Sequence, residues 1–261
     1  MKYFDSHAHY YDERFVEESE VNAEELLREL FVHNTAGVVN VGTSPETCLA
    51  AIDQAKAFPL MYTALGIHPS DTRFLENSDE ALAQIESMIL EKENKCVALG
   101  EIGLDYHYEG TDKEKQLLYF RAQMAMAERL GLPVVIHDRE AHADVLSVMR
   151  EFPRVRGVLH SFSGSAEMAR EVVSLGYMIS FSGTLTFTNA KKPKEAAAAI
   201  GIEHIMIETD CPYLAPHPLR GTLNHSGNLV YTNRALADIK GISEEECARI
   251  TEENARRFFG I

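Results

Sequence analysis

The chain has 261 residues, 45% of them hydrophobic, with 25 basic against 40 acidic side chains and a formal charge of −15. That composition supports one full core of the size common among α/β barrels. It argues against a non-specific grip on long nucleic acid, which depends on many Lys and Arg contacts to phosphate, but not against a metal site that takes a few nucleotides, because bound cations invert the local field.

In chain order, short apolar runs bounded by Gly, Pro or polar residues predict strands at 3–5, 37–42, 60–66, 96–101, 133–137, 157–160, 177–180 and 205–208. Such runs suit strands buried on both faces. Helical patterns lie between them. Leu26, Leu27, Leu30 and Phe31 make one apolar stripe, and Leu117, Phe120, Met124 and Ala127 another. Further helices are expected over 45–57, 79–93, 139–151, 166–175 and 192–200, and the tail 228–259 is largely helical. Within that tail Ser243, followed by three glutamates, reads as an N-cap with an acidic first turn. Eight strands alternating with helices predict a single-domain (β/α)8 TIM barrel over 1–261. A doubly wound open sheet is the competing architecture, and it would gather its ligand at one switch point.

Cys48, Cys96, Cys211 and Cys247 are scattered without C-x-x-C spacing, as expected of reduced thiols in a cytoplasmic protein. No apolar stretch is long enough to cross a bilayer, and nothing at the N-terminus reads as a secretory leader.

The chemistry-bearing residues fall where the strands end. His7 and His9 are two apart at the exit of the first strand, so both can face one site. Glu101 follows Val97-Ala98-Leu99-Gly100, His137 ends Val134-Val135-Ile136, and His160 ends Val158-Leu159. Asp210 follows the last strand. Each has an ordinary alternative: a surface histidine pair, a carboxylate meeting a helix end or an Arg, a hydrogen-bonded core histidine, a loop cap. Together they place four histidines and two carboxylates on the face where barrel active sites lie, enough for two divalent ions sharing a carboxylate. Glu208 is open between the barrel interior and a supporting role. His68 faces either substrate or its own turn, and Arg139 and Arg220 are either phosphate clamps or surface ion pairs. Lys191, Lys192 and Lys194 read as a solvated helix start, with a rim contact as the alternative, and Cys211 as packing.

The ordered segments Asp5-Ser6-His7-Ala8-His9, Gly66-Ile67-His68-Pro69, Gly100-Glu101-Ile102-Gly103-Leu104-Asp105, Ile136-His137-Asp138-Arg139, His160-Ser161-Phe162-Ser163-Gly164 and Glu208-Thr209-Asp210-Cys211-Pro212-Tyr213-Leu214 resemble the TatD family of metal-dependent deoxyribonucleases almost end to end. By that resemblance His7, His9 and Asp210 would hold one metal, His137 and His160 the other, and Glu101 would bridge. Glu101, where related C–N hydrolases often carry a carboxylated lysine, favours the nuclease branch. The family usually follows Arg-Gly-x-x-Asn with Glu-Pro, whereas this chain reads His225-Ser226 after Asn224 in a loop expected to border the site.

The resulting expectation is two-metal hydrolysis of DNA phosphodiesters, 3′ to 5′ from short single-stranded ends. Asp210 would orient or deprotonate water, and the ions would be Mg, Mn or Zn. Amide or ester hydrolysis on the same barrel, including aminoacyl-tRNA deacylation, is the main alternative, and a non-catalytic metal-binding module a weaker one.

Overall fold

Strand and helix alternate as the sequence predicts. The strands are β1 (Tyr3–Ala8), β2 (Thr35–Val41), β3 (Met61–Leu65), β4 (Cys96–Asp105), β5 (Val134–Arg139), β6 (Gly157–Leu159), β7 (Met178–Phe181) and β8 (Ile205–Ile207). The helices are α1 (Arg14–Glu17), α2 (Ala23–His33), α3 (Pro45–Ala57), α4 (Ser78–Leu90), α5 (Lys113–Leu130), α6 (His142–Glu151), α7 (Ala166–Ser174), α8 (Lys191–Ala199), α9 (Leu229–Lys240) and α10 (Glu244–Phe259). This computed structural model describes residues 1–19, 22–76 and 78–261.

The strands pair in parallel and in sequence order from β1 to β8. An isolated parallel bridge between Ala8 and Cys211 draws the exit of β8 against β1. There His9 N donates to Cys211 O at 2.8 Å and Asp210 N to His7 O at 3.0 Å. The result is a nearly closed barrel and not the open sheet.

Side chains alternate across each strand. One set, with Phe4, Val39, Val41, Ala64, Ala98 and Val135 among its members, packs inside the barrel. Phe258 and Phe259 at the end of α10 join this set and close its lower end. Burying two such rings contributes roughly 1.5–3 kcal/mol each. The other set, including Leu65, Leu99, Ile136 and Ile179, packs outward against the helices.

The helix starts follow capping chemistry. Ser44 and Thr47 form a capping box with Pro45 behind it, and the Ser243 side chain accepts from Glu246 N as the sequence predicts. The tail is broken into α9 and α10 at Gly241, which takes φ +67°. An L side chain pays a steric penalty in that left-handed cap.

β1 and β4 run three and four residues further than expected, and each carries a bulge. In β1 the register with β2 shifts between Asp5 and Ala8, and in β4 the register with β5 shifts between Leu99 and Ile102. An extra residue re-aims the side chains beyond it. The two shifts sit at His7 and Glu101.

Beyond its bulge β4 continues to Asp105 because Gly103 lets it pass close to β5. There φ is +135°, and a Cβ would lie 2.1 Å from His137 O. No helix among the described residues is long and apolar enough to cross a membrane.

Candidate metal centre

The residues expected at the strand ends converge at the C-terminal mouth of the barrel. Glu101 is at their centre, and its two oxygens face different partners. Oε2 lies 3.3 Å from His7 Nε2 and 3.8 Å from His9 Nε2, both from the β1 exit. Oε1 lies 2.8 Å from His137 Nδ1 and 2.8 Å from His160 Nε2, from the β5 and β6 exits. Asp210 Oδ1 completes the first side, 3.6 Å from His7 Nε2 and 3.4 Å from His9 Nε2. Asp210 takes φ +57°, a left-handed conformation that Asp tolerates better than most residues.

The far nitrogen of three imidazoles is held by an acceptor, which fixes the tautomer. His9 Nδ1 donates to Val41 O at 2.7 Å, so Nε2 presents a lone pair to the site. His160 Nδ1 donates to Glu208 Oε1 at 3.2 Å, and Ser161 N donates to the same oxygen at 2.7 Å. His137 Nε2 donates to Asp105 Oδ2 at 3.2 Å, leaving Nδ1 for the site. The far nitrogen of His7, Nδ1, is buried without a partner among the described residues.

The crowding of these groups is the test of fit. Imidazole nitrogens and the Glu101 oxygens meet here at 2.8 to 3.8 Å, a spacing favourable only with a proton or a cation between them. Four sets of three potential ligand atoms lie within 4.8 Å of one another, among them His7, His9 and Glu101 and, separately, Glu101, His137 and His160. Imidazole and carboxylate without thiolate suits divalent ions from magnesium to zinc.

The electrostatics agree. Burial works against the Glu101 carboxylate, but the imidazoles gathered around it, His160 foremost, hold its pKa well below the usual range. Burial likewise pushes His160 down, yet Glu101 and Glu208 together raise it well above an ordinary histidine. The same carboxylate field would hold a divalent cation.

His68 differs from the other four histidines. Its Nδ1 accepts from Ser70 N at 3.1 Å, so in the neutral ring the proton sits on Nε2, 3.5 Å from Glu101 Oε1. Burial keeps this ring neutral, lowering its pKa to about 3. It therefore presents a donor where the others present lone pairs. His68, Asp105 and His137 are also within 4.8 Å, but the facing nitrogens of both histidines carry protons, so the set reads as hydrogen bonding.

A cavity of about 510 Å³ opens above the cluster, with His68, Arg73, Tyr108, Arg139 and Tyr213 in its walls. Arg139 is thus beside the cluster. Arg220 is not among the lining residues; its guanidinium sits 4.3 Å from the ring centroid of Phe187. The loop with His225 and Ser226 does not line the cavity either. It braces the site from behind: Ser226 Oγ donates to Asp5 Oδ2 at 2.7 Å, and Asn224 Nδ2 donates to Thr209 O and Tyr213 O. Lys191 and Lys192 are exposed at the start of α8, and Cys211 is buried with its thiol pKa raised by burial.

Sequence reasoning left three residues without a role. Asp105 orients His137, Arg73 lines the cavity, and Asp5 is a fully buried carboxylate that accepts from Thr209 N, Thr209 Oγ1 and Ser226 Oγ. The available signal for both aspartates was a carboxylate inside an apolar run, which must be paired when buried.

Fold and site together define a barrel of the metal-hydrolase type. The model of TatD-related DNases matches residues 4–260, and the chain belongs to that family. It is 39% identical over 260 residues to an uncharacterized metal-dependent hydrolase, YabD, of Bacillus subtilis, covering 99% of each chain. It is 36% identical over 242 residues to another, TatD of Mycobacterium tuberculosis, covering 90% of each. Among solved structures, YjjV, a TatD homologue from Escherichia coli, superimposes with a TM-score of 0.89 at 26% identity, covering 99% of this chain and 98% of that one.

Proposed function

We propose that the protein is a two-metal phosphodiesterase acting on DNA, trimming single-stranded ends in the 3′ to 5′ direction. The observation that carries this reading is the division of Glu101, one oxygen toward His7 and His9 and the other toward His137 and His160. In this reading His7, His9 and Asp210 hold one ion, His137 and His160 the other, and Glu101 both. Divalent ions held there would supply an activated water and charge stabilisation at the leaving oxygen.

The side chains have separate tasks. Asp210, with its side chain 15% exposed against 4% for Glu101, is the carboxylate open to solvent and takes the proton from the attacking water. His68 donates its Nε2 proton to a phosphate oxygen, and Arg139 adds a forked, permanently charged donor. Asp105 and Glu208 keep His137 and His160 in the required tautomers. The four free cysteines, three of them buried, suit a reducing compartment, and we place the protein in the cytoplasm.

The test uses metal-stripped protein on 5′-labelled single-stranded DNA, with and without Mg, Mn or Zn. A metal-dependent ladder shortening from the 3′ end, abolished in Asp210→Asn, supports the reading. Intact DNA under every metal, with protein shown to bind two ions, moves the assignment to amide or ester hydrolysis.

A further inference from the structure

Several arginines on the outer helices of this acidic chain are ion-paired: Arg121 with Glu151, Arg129 with Glu86, Arg249 with Glu253. Arg73 and Arg139, at the mouth of the barrel, lie against aromatic rings instead. Arg73 is 4.5 Å from the Phe74 centroid and Arg139 is 5.5 Å from that of Tyr108. Neither has an ion-pair partner among the described residues, although Asp71 acts on Arg73 and Asp105 on Arg139 through space. The rings remain open to solvent, Phe74 at 69% and Tyr108 at 53% exposure. Exposed rings of this size on a loop lose favourable burial, and a cation over one face returns only about 0.5–1 kcal/mol each.

Their placement is specific. Tyr108 follows β4 and Arg139 ends β5, and both line the cavity above the histidine cluster. Tyr213, after β8, lines it too, and barrel order sets β8 across from β4 and β5. Arg73, on the turn after β3, lies in the cavity wall, while Phe74 lies outside it in a groove shared with Pro45, Leu75, Glu76 and Glu80. A path therefore runs from the cluster past Arg139 and Tyr108, and outward over Arg73 and Phe74. Along it, guanidinium groups outside any ion pair alternate with rings that keep half or more of their surface exposed. The complementary ligand alternates phosphate with flat apolar rings that are free to leave a stack. A nucleic acid single strand has that form, whereas a duplex keeps its bases paired inside.

We propose that Tyr108 stacks a base of a single-stranded end while Arg139 takes the adjoining phosphate, and that Arg73 and Phe74 carry the next nucleotide out of the cavity. The inference rests on the nucleic-acid reading of the site and adds how the strand is gripped. Recognition through ring faces is tolerant of sequence, since every base has one. It also explains how a protein of charge −15 holds a polyanion with few cations: the stacking term does not depend on net charge.

The test compares two ligands on the metal-loaded protein by fluorescence anisotropy. One is a short thymidine oligomer with phosphorothioate linkages, and the other is the same backbone without bases. Tyr108→Ala is expected to weaken the thymidine oligomer about tenfold and to leave the abasic strand unchanged, with Tyr108→Trp restoring affinity. Phe74→Ala should weaken only oligomers long enough to leave the cavity. Equal effects on both strands, or none, would overturn the stacking role while leaving nuclease activity to stand. Tight, Tyr108-dependent binding without cleavage of an ordinary phosphodiester strand would instead remove the nuclease reading and keep the grip. Wild-type protein that binds neither strand, or that prefers duplex, overturns the proposal.

Discussion

Glu208→Gln isolates the charge behind His160. Glu208 is buried, and its Oε1 accepts from Ser161 N at 2.7 Å and from His160 Nδ1 at 3.2 Å. Glutamine retains an acceptor oxygen of the same reach, so the imidazole keeps its tautomer and loses only the negative charge. Charge-assisted hydrogen bonds are roughly twice as strong as neutral ones, so the loss is about 1–1.5 kcal/mol, or roughly tenfold in metal affinity. Glu208→Ala removes the acceptor altogether. It should cost up to about 100-fold in affinity, the upper range for partners behind a metal-bound histidine, and leave Ser161 N buried and unpaired at about 1–3 kcal/mol of stability. The assay is a metal titration against a chromophoric chelator, with thermal unfolding of the metal-free proteins as the fold control. Two variants with wild-type metal affinity would refute the argument that Glu208 acts through His160.

Three further outcomes follow from the same geometry. Stripping metal from protein held at about 100 times the dissociation constant of each ion should remove about 2.7 kcal/mol per ion, lowering the melting temperature by roughly 5–10 °C for each; an unchanged melting curve would mean that the cluster is satisfied without a cation. His68→Ala should keep the full metal content yet lose about 100-fold or more in kcat, because one preorganised donor at developing charge is worth that much. Loss of metal in that variant would make His68 a ligand and reverse the tautomer argument. Gly103→Ala should fold poorly or not at all, since its Cβ would lie 2.1 Å from His137 O in a conformation that L residues avoid; circular dichroism melting would show this, and a wild-type melt would contradict the close approach of β4 to β5.

The fold was legible because barrel strands are buried on both faces and so appear as short apolar runs, and because their number and spacing admit few architectures. All eight strands lie where those runs are. The cluster itself was legible through position: His7, His9, Glu101, His137, His160 and Asp210 each follow a run, and a barrel brings strand ends together. What sequence could not give is orientation. Alternation along a strand does not foresee that β1 and β4 each carry a bulge beside a site residue.

Nor does it reveal which nitrogen of an imidazole faces the site, since that depends on Val41 O, Asp105 and Glu208, distant in the chain. Loop residues were the least legible. Arg220 and Arg139 look alike in sequence, yet one packs on Phe187 and the other lines the cavity. The loop with His225 and Ser226 was expected to border the site; Ser226 instead braces Asp5 across the β1–β8 seam.

The central claim is that Glu101 joins two ions held by separate sets of histidines. A crystal grown with manganese, with anomalous differences measured at its absorption edge, tests it directly. Two peaks roughly 3.5–4 Å apart are expected, one beside His7, His9 and Asp210 and the other beside His137 and His160, with Glu101 between them. A single peak, or a second one between His68 and Asp105, would contradict it.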